Sequence, residues 1–175
     1  QAIAQIHNPV DLDSAAKSRE RITFDEALLM QLLLLERRAQ LRALKATSRR
    51  AKSSGILSAF DAALPWQLTA GQVQVSREIE EDLAAPYPMH RLLQGEVGSG
   101  KTVVALRAML AVIDSGGQAA LLAPTEVLAA QHLRTIEKLL GPLAQGGMLG
   151  GVENATQVTL LTGSQSAAAR KDALA

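Results

Sequence analysis

The chain has 175 residues, of which 47% are hydrophobic and 20% are charged, and its formal net charge is +1. This composition allows a sizeable hydrophobic core and excludes a largely disordered chain. The absence of cysteine excludes disulfides and cysteine-ligated zinc sites, and it suits a reducing compartment. The three histidines are scattered, so no metal cluster is indicated, and no apolar run approaches the ~20 residues of a membrane span.

The start of the chain and its charge distribution add two expectations. The chain opens with neither a methionine nor the layout of a signal peptide, so we expect an internal piece of a longer protein. Residues 1–55 carry ten Lys/Arg and six Asp/Glu, and the remainder is acidic. A basic cluster here either meets nucleic-acid phosphates or, as we favour, complements the dipole of a helix C-terminus and stays solvated. Its members are Arg37, Arg38, Arg42, Lys45, Arg49, Arg50 and Lys52.

The first predicted element is a long helix over about residues 24–45. Thr23 and Glu26 have the spacing of a capping box, in which each side chain satisfies a free backbone N–H of the other residue. Leucines between 28 and 35 cover more than one face, which indicates contact with more than one neighbour. Residues 47–55 are small and polar and predict a linker, so we place the boundary between two regions, 1–55 and 56–175, at its end.

A second capping box, Thr69 with Gln72, predicts a helix that begins near residue 70. Two prolines, Pro86 and Pro88, end that helix. Residues 89–94 then form a short mixed apolar run that predicts a strand.

The most informative motif follows this strand directly. It fits the phosphate-binding pattern G-x-x-x-x-G-K-[ST] at every fixed position, between a predicted strand and a predicted helix. Its glycines let consecutive backbone N–H groups point at a phosphate. Lys101 can reach the β- and γ-phosphates of ATP, and the Thr102 hydroxyl can ligate Mg²⁺, so we assign these two residues the catalytic roles. The full set of predicted phosphate-loop residues is Gly95, Glu96, Val97, Gly98, Ser99, Gly100, Lys101 and Thr102.

Alternating elements continue to the end of the chain. A helix is predicted over residues 101–115, a strand over 118–123, and a second helix from Thr125 to about residue 140. A glycine-rich loop over 146–154 precedes a third strand, 157–161. The order of strand, helix, strand, helix and strand predicts an α/β fold with a parallel sheet.

The order of these motifs resembles the RecG family of superfamily-2 DNA helicases. The resemblance is carried by Thr69 with Gln72, by the phosphate loop and the residues before it, by the Pro124-Thr125-Glu126 segment, and by Thr162-Gly163-Ser164. It is close over residues 56–175 and looser upstream. It implies part of a RecA-like P-loop NTPase domain, preceded by a connector with a long helix.

The resemblance also implies roles for individual residues. Gln72 would read the adenine edge, a role we favour over that of a mere member of the capping box. Trp66 would stack near the base, or else anchor the core. Thr125, Gln131 and Thr162 would contact a DNA backbone. Thr125 is also a good helix N-cap, and His132 is expected to be structural.

The implied activity is that of an ATP-dependent DNA helicase and double-stranded DNA translocase. Such a protein remodels stalled replication forks and branch-migrates recombination junctions in the bacterial cytoplasm, using ATP and Mg²⁺. Its partners would be forked or branched DNA and, within the same protein, a wedge domain and a second motor domain, with no membrane partner. No Asp-Glu box follows the third strand, so we expect this chain alone to hydrolyse ATP poorly.

Two other interpretations stay open at the level of sequence. A transcription-repair coupling factor or a primosomal helicase shares the phosphate loop and the Pro-Thr motif. A non-catalytic module that binds a nucleotide or a partner would also retain these residues.

Overall fold

A computed structural model of the protein describes residues 2–146 and 154–174, so most of the predicted loop 146–154 lies outside the described residues. The chain divides into two compact units, Gln1–Ala46 and Thr47–Ala175. The first contains helices α1 (Ala2–His7) and α2 (Leu12–Ala43). The second contains α3 (Ile56–Ala63), α4 (Ala70–Leu83), α5 (Lys101–Asp114), α6 (Glu126–Leu140), a 3₁₀ helix (Gly141–Ala144) and α7 (Ala167–Leu174).

Helix α2 begins eleven residues before Thr23, and the predicted start was therefore wrong. Its N-cap is Asp11, whose carboxylate accepts a hydrogen bond of 2.7 Å from the Ser14 N–H, while the Asp11 N–H donates to Ser14 Oγ at 3.2 Å. Hydrogen bonds to the carboxylate from Ser14, first from its backbone N–H and then from its side chain, hold the pKa of Asp11 below its ordinary value. The helix continues through Thr23 because residues 12–22 contain no proline or glycine to interrupt it.

Residues 47–55 follow α2, belong to the second unit and lie outside any helix or strand. The Arg49 N–H donates to the Leu83 carbonyl at 2.8 Å, and Ser48 Oγ donates to the Ala84 carbonyl at 2.7 Å. At the end of this segment, both oxygens of the buried Asp114 carboxylate accept hydrogen bonds from the first N–H groups of α3. The end of α5 therefore caps the start of α3.

The core of the second unit lies along α5, which packs against α3 and α4. Phe60 of α3 and Leu110 of α5 are the largest fully buried side chains. Helix α6 contributes Ile136 and Leu140, and the 3₁₀ helix contributes Leu143. Burial of about ten such side chains, each worth roughly 1.5–3 kcal/mol, is the main source of stability for this unit.

The structure differs from the predicted parallel sheet. Residues 89–94, 118–123 and 157–161 form no strand ladder, and the bridge recorded within the described residues is an isolated antiparallel one between Gln145 and Gln157. Leu92 and Leu122 are 83% and 93% exposed. An apolar pattern identifies a segment whose side chains suit a sheet. A parallel strand forms, however, only when another strand that is remote in the sequence lies beside it and supplies its hydrogen-bond partners.

One arginine joins the three helices around the core. Arg107 of α5 pairs with Asp61 of α3, donates to Glu80 of α4 at 3.1 Å, and donates from Nε to Ser76 Oγ at 3.2 Å. Its side chain is only 11% exposed. Three acceptors therefore compensate the partial desolvation of the guanidinium.

We expect Arg107→Ala to lower the free energy of unfolding by about 2 kcal/mol, less than for a fully buried pair because Asp61 and Glu80 remain partly exposed. The measurement is a urea titration followed by circular dichroism. Arg77→Ala, at an exposed position of α4, is the matched control. Equal losses in the two variants would contradict a joining role for Arg107.

Candidate nucleotide-binding site

The phosphate-loop motif folds into a turn that leads into α5. Gly98 and Gly100 have φ angles of +86° and +82°, in the left-handed region that glycine adopts without a steric penalty. The Ser99 N–H donates to the Glu96 carbonyl at 3.2 Å and closes the turn. Gly100 is the N-cap of α5, so Lys101 and Thr102 occupy the first turn of that helix.

Four backbone N–H groups of this turn have no acceptor among the described residues. Those of Gly98, Gly100, Lys101 and Thr102 donate to no atom in the described ranges 2–146 and 154–174. Unpaired N–H groups at a helix N-terminus, together with the helix dipole, favour an anion. The turn therefore has the geometry of a phosphate-binding site.

Lys101 lies over the turn that precedes it. Its ammonium donates to the carbonyls of Gly95 and Glu96, both at 2.8 Å. Because an ammonium has three N–H donors, one remains for a further acceptor. The positive charge thus lies at the same turn as the unpaired N–H groups. Thr102, the predicted Mg²⁺ ligand, is partly buried one residue further along α5.

Gln72 connects this turn to the start of α4. Its side-chain oxygen accepts from the Thr69 N–H at 2.9 Å, and Thr69 Oγ1 accepts from the Gln72 N–H at 3.3 Å, so the predicted capping box is confirmed. The side-chain nitrogen of Gln72 donates to the Ser99 carbonyl at 2.9 Å. Sequence reasoning missed this second contact, because 27 residues separate the partners and no local pattern predicts their approach.

Arg91 provides a second connection between α4 and the segment that enters the loop. It donates to Glu78 at 2.7 Å and to Asp82 at 2.5 Å. The hydrogen bond to Asp82 is the main cause that raises the pKa of Arg91 above its ordinary value. Helix α4 therefore positions the phosphate loop through two contacts, that of Gln72 at its start and that of Glu78 and Asp82 with Arg91 towards its end.

The remaining predicted site residues lie in different surroundings. Trp66 is 48% exposed in the segment between α3 and α4, so it does not anchor the core, and its stacking role stays a prediction. Thr125 is confirmed as the N-cap of α6, with Oγ1 accepting from the Leu128 N–H at 3.3 Å.

Thr125 and Thr162 are brought to one region, because Glu126 accepts hydrogen bonds from Ser164. Gln131 is not part of this group. It lies five positions after Glu126, and in an α-helix this spacing is a rotation of about 140° around the axis of α6.

Within the described residues, no group of three or more His, Cys, Asp or Glu side chains is arranged to hold a metal ion. Thr102 is therefore the one predicted ligand that the described chain offers near the phosphate loop. In the same part of the chain, no helix has the length and apolar character needed to cross a membrane.

Comparison with known proteins identifies the family. The sequence profile of the DEAD/DEAH box helicases matches residues 69–173, which include the phosphate loop and more than half of the chain. The chain belongs to this helicase family. The DEAD/DEAH box match runs from the N-cap of α4 through α6 and into α7.

Individual relatives of this helicase segment are RecG proteins. The ATP-dependent DNA helicase RecG of Mycobacterium tuberculosis is 52% identical over 98% of the chain, and that of Synechocystis is 41% identical over 98%. The chain spans about a quarter of the length of the curated relatives it matches, 23% for the mycobacterial protein and 19% for the cyanobacterial one. The sequence resemblance to RecG is thus confirmed.

A solved structure of RecG bound to a three-way DNA junction matches this helicase segment with a TM-score of 0.72 and 35% sequence identity. The match covers 78% of the chain and 19% of the RecG chain. It supports the RecA-like fold class.

We expect Gly100→Ala to weaken ATP binding by about tenfold, because a left-handed non-glycine residue costs roughly 1–2 kcal/mol. A Cβ at this position would also lie 2.4 Å from the side-chain nitrogen of Gln72. Titration with a fluorescent ATP analogue measures the affinity. Gly71→Ala is the matched control, since a Cβ there meets nothing within 4 Å. Similar affinities for the two variants would contradict the backbone constraint.

Proposed function

We propose that this chain is the ATP-phosphate-binding part of the first motor domain of a RecG-like, ATP-dependent DNA helicase. The whole protein would translocate on double-stranded DNA, remodel stalled replication forks and branch-migrate recombination junctions. The observation that carries the proposal is the turn from Gly95 to Thr102, where unpaired N–H groups and the Lys101 ammonium meet at the start of α5. Bacterial RecG relatives at up to 52% identity support the motor assignment and a cytoplasmic location.

In this proposal, the chain's own groups bind and orient the triphosphate. The N–H groups of Gly98, Gly100 and Lys101 would donate to phosphate oxygens, and the Lys101 ammonium would move from the loop carbonyls towards the β- and γ-phosphates. Because the backbone N–H donors are fixed before ATP arrives, little backbone reorganisation opposes binding. Gln72 and Trp66 would contact the adenine base.

Mg²⁺ fits this site in part. The Thr102 hydroxyl would supply one of the roughly six oxygen ligands that Mg²⁺ prefers, and phosphate oxygens and water would supply others. When bound, the ion neutralises charge that develops on the phosphates during transfer. Since the described residues contain no group of three or more His, Cys, Asp or Glu side chains arranged to hold a metal ion, we propose that this chain alone hydrolyses ATP poorly.

We further propose that residues 89–94, 118–123 and 157–161 become strands of a parallel sheet in the whole protein. Their exposed apolar side chains, such as Leu92 and Leu122, support this, because pairing would bury them. Residues 1–55 would be the connector from the wedge domain, and residues 56–175 the first part of the motor.

DNA contact is proposed at Thr125, Gln131 and Thr162. Hydroxyl and amide groups and helix N-termini bind phosphates without reading bases, so we expect no sequence specificity. The proximity of the start of α6 to the Thr162-Gly163-Ser164 turn supports a shared contact surface for Thr125 and Thr162.

Lys101→Ala in the full-length protein should reduce fork unwinding by at least about a hundredfold, because a positively charged donor to the transferred phosphate is lost. Forked-DNA binding, measured by fluorescence anisotropy, should persist. Lys138→Ala, an exposed lysine of α6, is the matched control. Unchanged unwinding would favour a non-catalytic binding module, and loss of both activities would mean that the phosphate loop builds the DNA site.

Gln72→Glu separates the two contacts of Gln72 and tests its adenine role. A carboxylate can still accept from the Thr69 N–H, but it cannot donate to the Ser99 carbonyl. We expect the ratio of ATP to GTP affinity to fall about tenfold in Gln72→Glu and Gln72→Ala, as a base-specific hydrogen bond is lost. Both variants lose the contact with the Ser99 carbonyl, so Gln72→Ala, which also loses the cap, should lower the melting temperature more than Gln72→Glu. If the ratio of ATP to GTP affinity is unchanged in both variants, the role of Gln72 is limited to capping α4 and positioning the loop.

A further inference from the structure

The Glu126 carboxylate connects two segments that lie far apart in the sequence. Its Oε1 accepts from the Ser164 N–H at 2.9 Å, and its Oε2 accepts from Ser164 Oγ at 2.7 Å. The two residues are 38 positions apart. Both carboxylate oxygens are therefore used, in a bidentate contact with one residue.

The turn that contains Ser164 is also organised internally. The side-chain oxygen of Gln165 accepts from the Thr162 N–H at 2.9 Å, and its nitrogen donates to the Leu160 carbonyl at 3.0 Å. Thr162 Oγ1 and Ser164 Oγ lie 3.3 Å apart. Across the described residues, the hydrogen bonds that leave residues 160–165 end on Glu126. The turn is thus held together by its own hydrogen bonds, and within the described residues Glu126 is its hydrogen-bond partner outside the turn.

A purely stabilising role does not account for this contact well. Glu126 and Ser164 are both exposed, and exposed contacts of a charged group add little to the free energy of folding. A favourable interaction with the dipole of α6 explains an acidic residue at its first position, but it does not require Ser164.

The charge of Glu126 gives a second argument. The hydrogen bond from the Ser164 hydroxyl is the main cause that lowers the pKa of Glu126 below its ordinary value, so the group is ionised at neutral pH. A carboxylate beside a DNA backbone would repel phosphates. When Ser164 occupies both oxygens, the charge is partly compensated while the residue still holds the turn.

We propose that Glu126 is a positioning residue that holds the Thr162-Gly163-Ser164 turn at the start of α6, so that Thr125 and Thr162 form one DNA-backbone contact surface. The inference rests on the proposed function, because it assigns DNA contact to those two threonines. Glu126 itself touches neither DNA nor nucleotide in this arrangement. Substitution of Glu126 should weaken the contact of this surface with DNA and leave ATP binding by the phosphate loop unchanged.

The test uses the full-length protein with a forked DNA. We would measure the DNA concentration that half-maximally stimulates ATP hydrolysis, the rate at saturating DNA, and the affinity for a fluorescent ATP analogue. Glu126→Ala should raise the half-maximal DNA concentration about five- to tenfold, and Ser164→Ala about two- to threefold. ATP affinity and the rate at saturating DNA should change less than about twofold.

Three further variants sharpen the result. The double variant Glu126→Ala with Ser164→Ala should equal Glu126→Ala alone, because contacting residues are not additive. Glu126→Gln keeps one acceptor and should have an intermediate effect, which also guards against misfolding of the alanine variant. Glu137→Ala, an exposed glutamate of the same helix, should resemble the unaltered protein.

The outcomes separate this inference from the function on which it rests. If Thr125→Ala and Thr162→Ala raise the half-maximal DNA concentration while Glu126→Ala does not, the positioning role is wrong and the DNA surface stands. If neither threonine variant changes it, the proposed DNA contacts themselves fail. Additive effects of Glu126→Ala and Ser164→Ala, or a parallel loss of ATP affinity, would also overturn the positioning role.

Discussion

The arrangement of α3, α4 and α5 depends on the guanidinium of Arg107. Helix α5 starts inside the phosphate loop and carries much of the core, while Asp61 and Glu80 on the neighbouring helices are the partners of Arg107. A partly buried guanidinium must satisfy its donors, and within the described residues its acceptors are Asp61 of α3 and Ser76 and Glu80 of α4. The charge thus fixes where α4 lies relative to the loop.

The position of α4 matters because both side-chain contacts to the loop region come from it. Gln72 holds the Ser99 carbonyl, and the acidic pair Glu78 and Asp82 holds Arg91 before the loop. A phosphate site needs N–H groups fixed in advance, since each degree of freedom lost on binding lowers affinity. The helix therefore positions the phosphate loop without itself supplying any of the unpaired N–H groups of that loop.

A similar logic applies to the start of α6. Thr125 caps that helix, and the next residue, Glu126, holds a turn from much later in the chain. In both regions, a capping residue and a long-range hydrogen bond occur together at one helix N-terminus. Helix starts carry unpaired N–H groups, so they are natural places for phosphates of either a nucleotide or a DNA backbone.

Sequence alone determined the local features. The phosphate-loop pattern, the capping box of Thr69 with Gln72, the N-cap Thr125 and the starts of α4, α5 and α6 depend on residues within a few positions of one another, and the structure confirms them. The family resemblance likewise follows from short motifs. Such features depend on the steric preferences and hydrogen bonds of neighbouring residues, so a short stretch of sequence is enough to predict them.

Tertiary structure decided the rest. The predicted strands lack a ladder because their pairing needs remote partners, whereas the start of α2 at Asp11 instead of Thr23 is a local feature, the Asp11–Ser14 capping box, that the prediction missed. The contacts of Gln72 with Ser99, of Arg107 with Asp61, and of Glu126 with Ser164 span 27 to 46 residues. The periodicity and motif spacing of the sequence cannot predict these contacts, because the contacts form only when packed helices bring distant segments together.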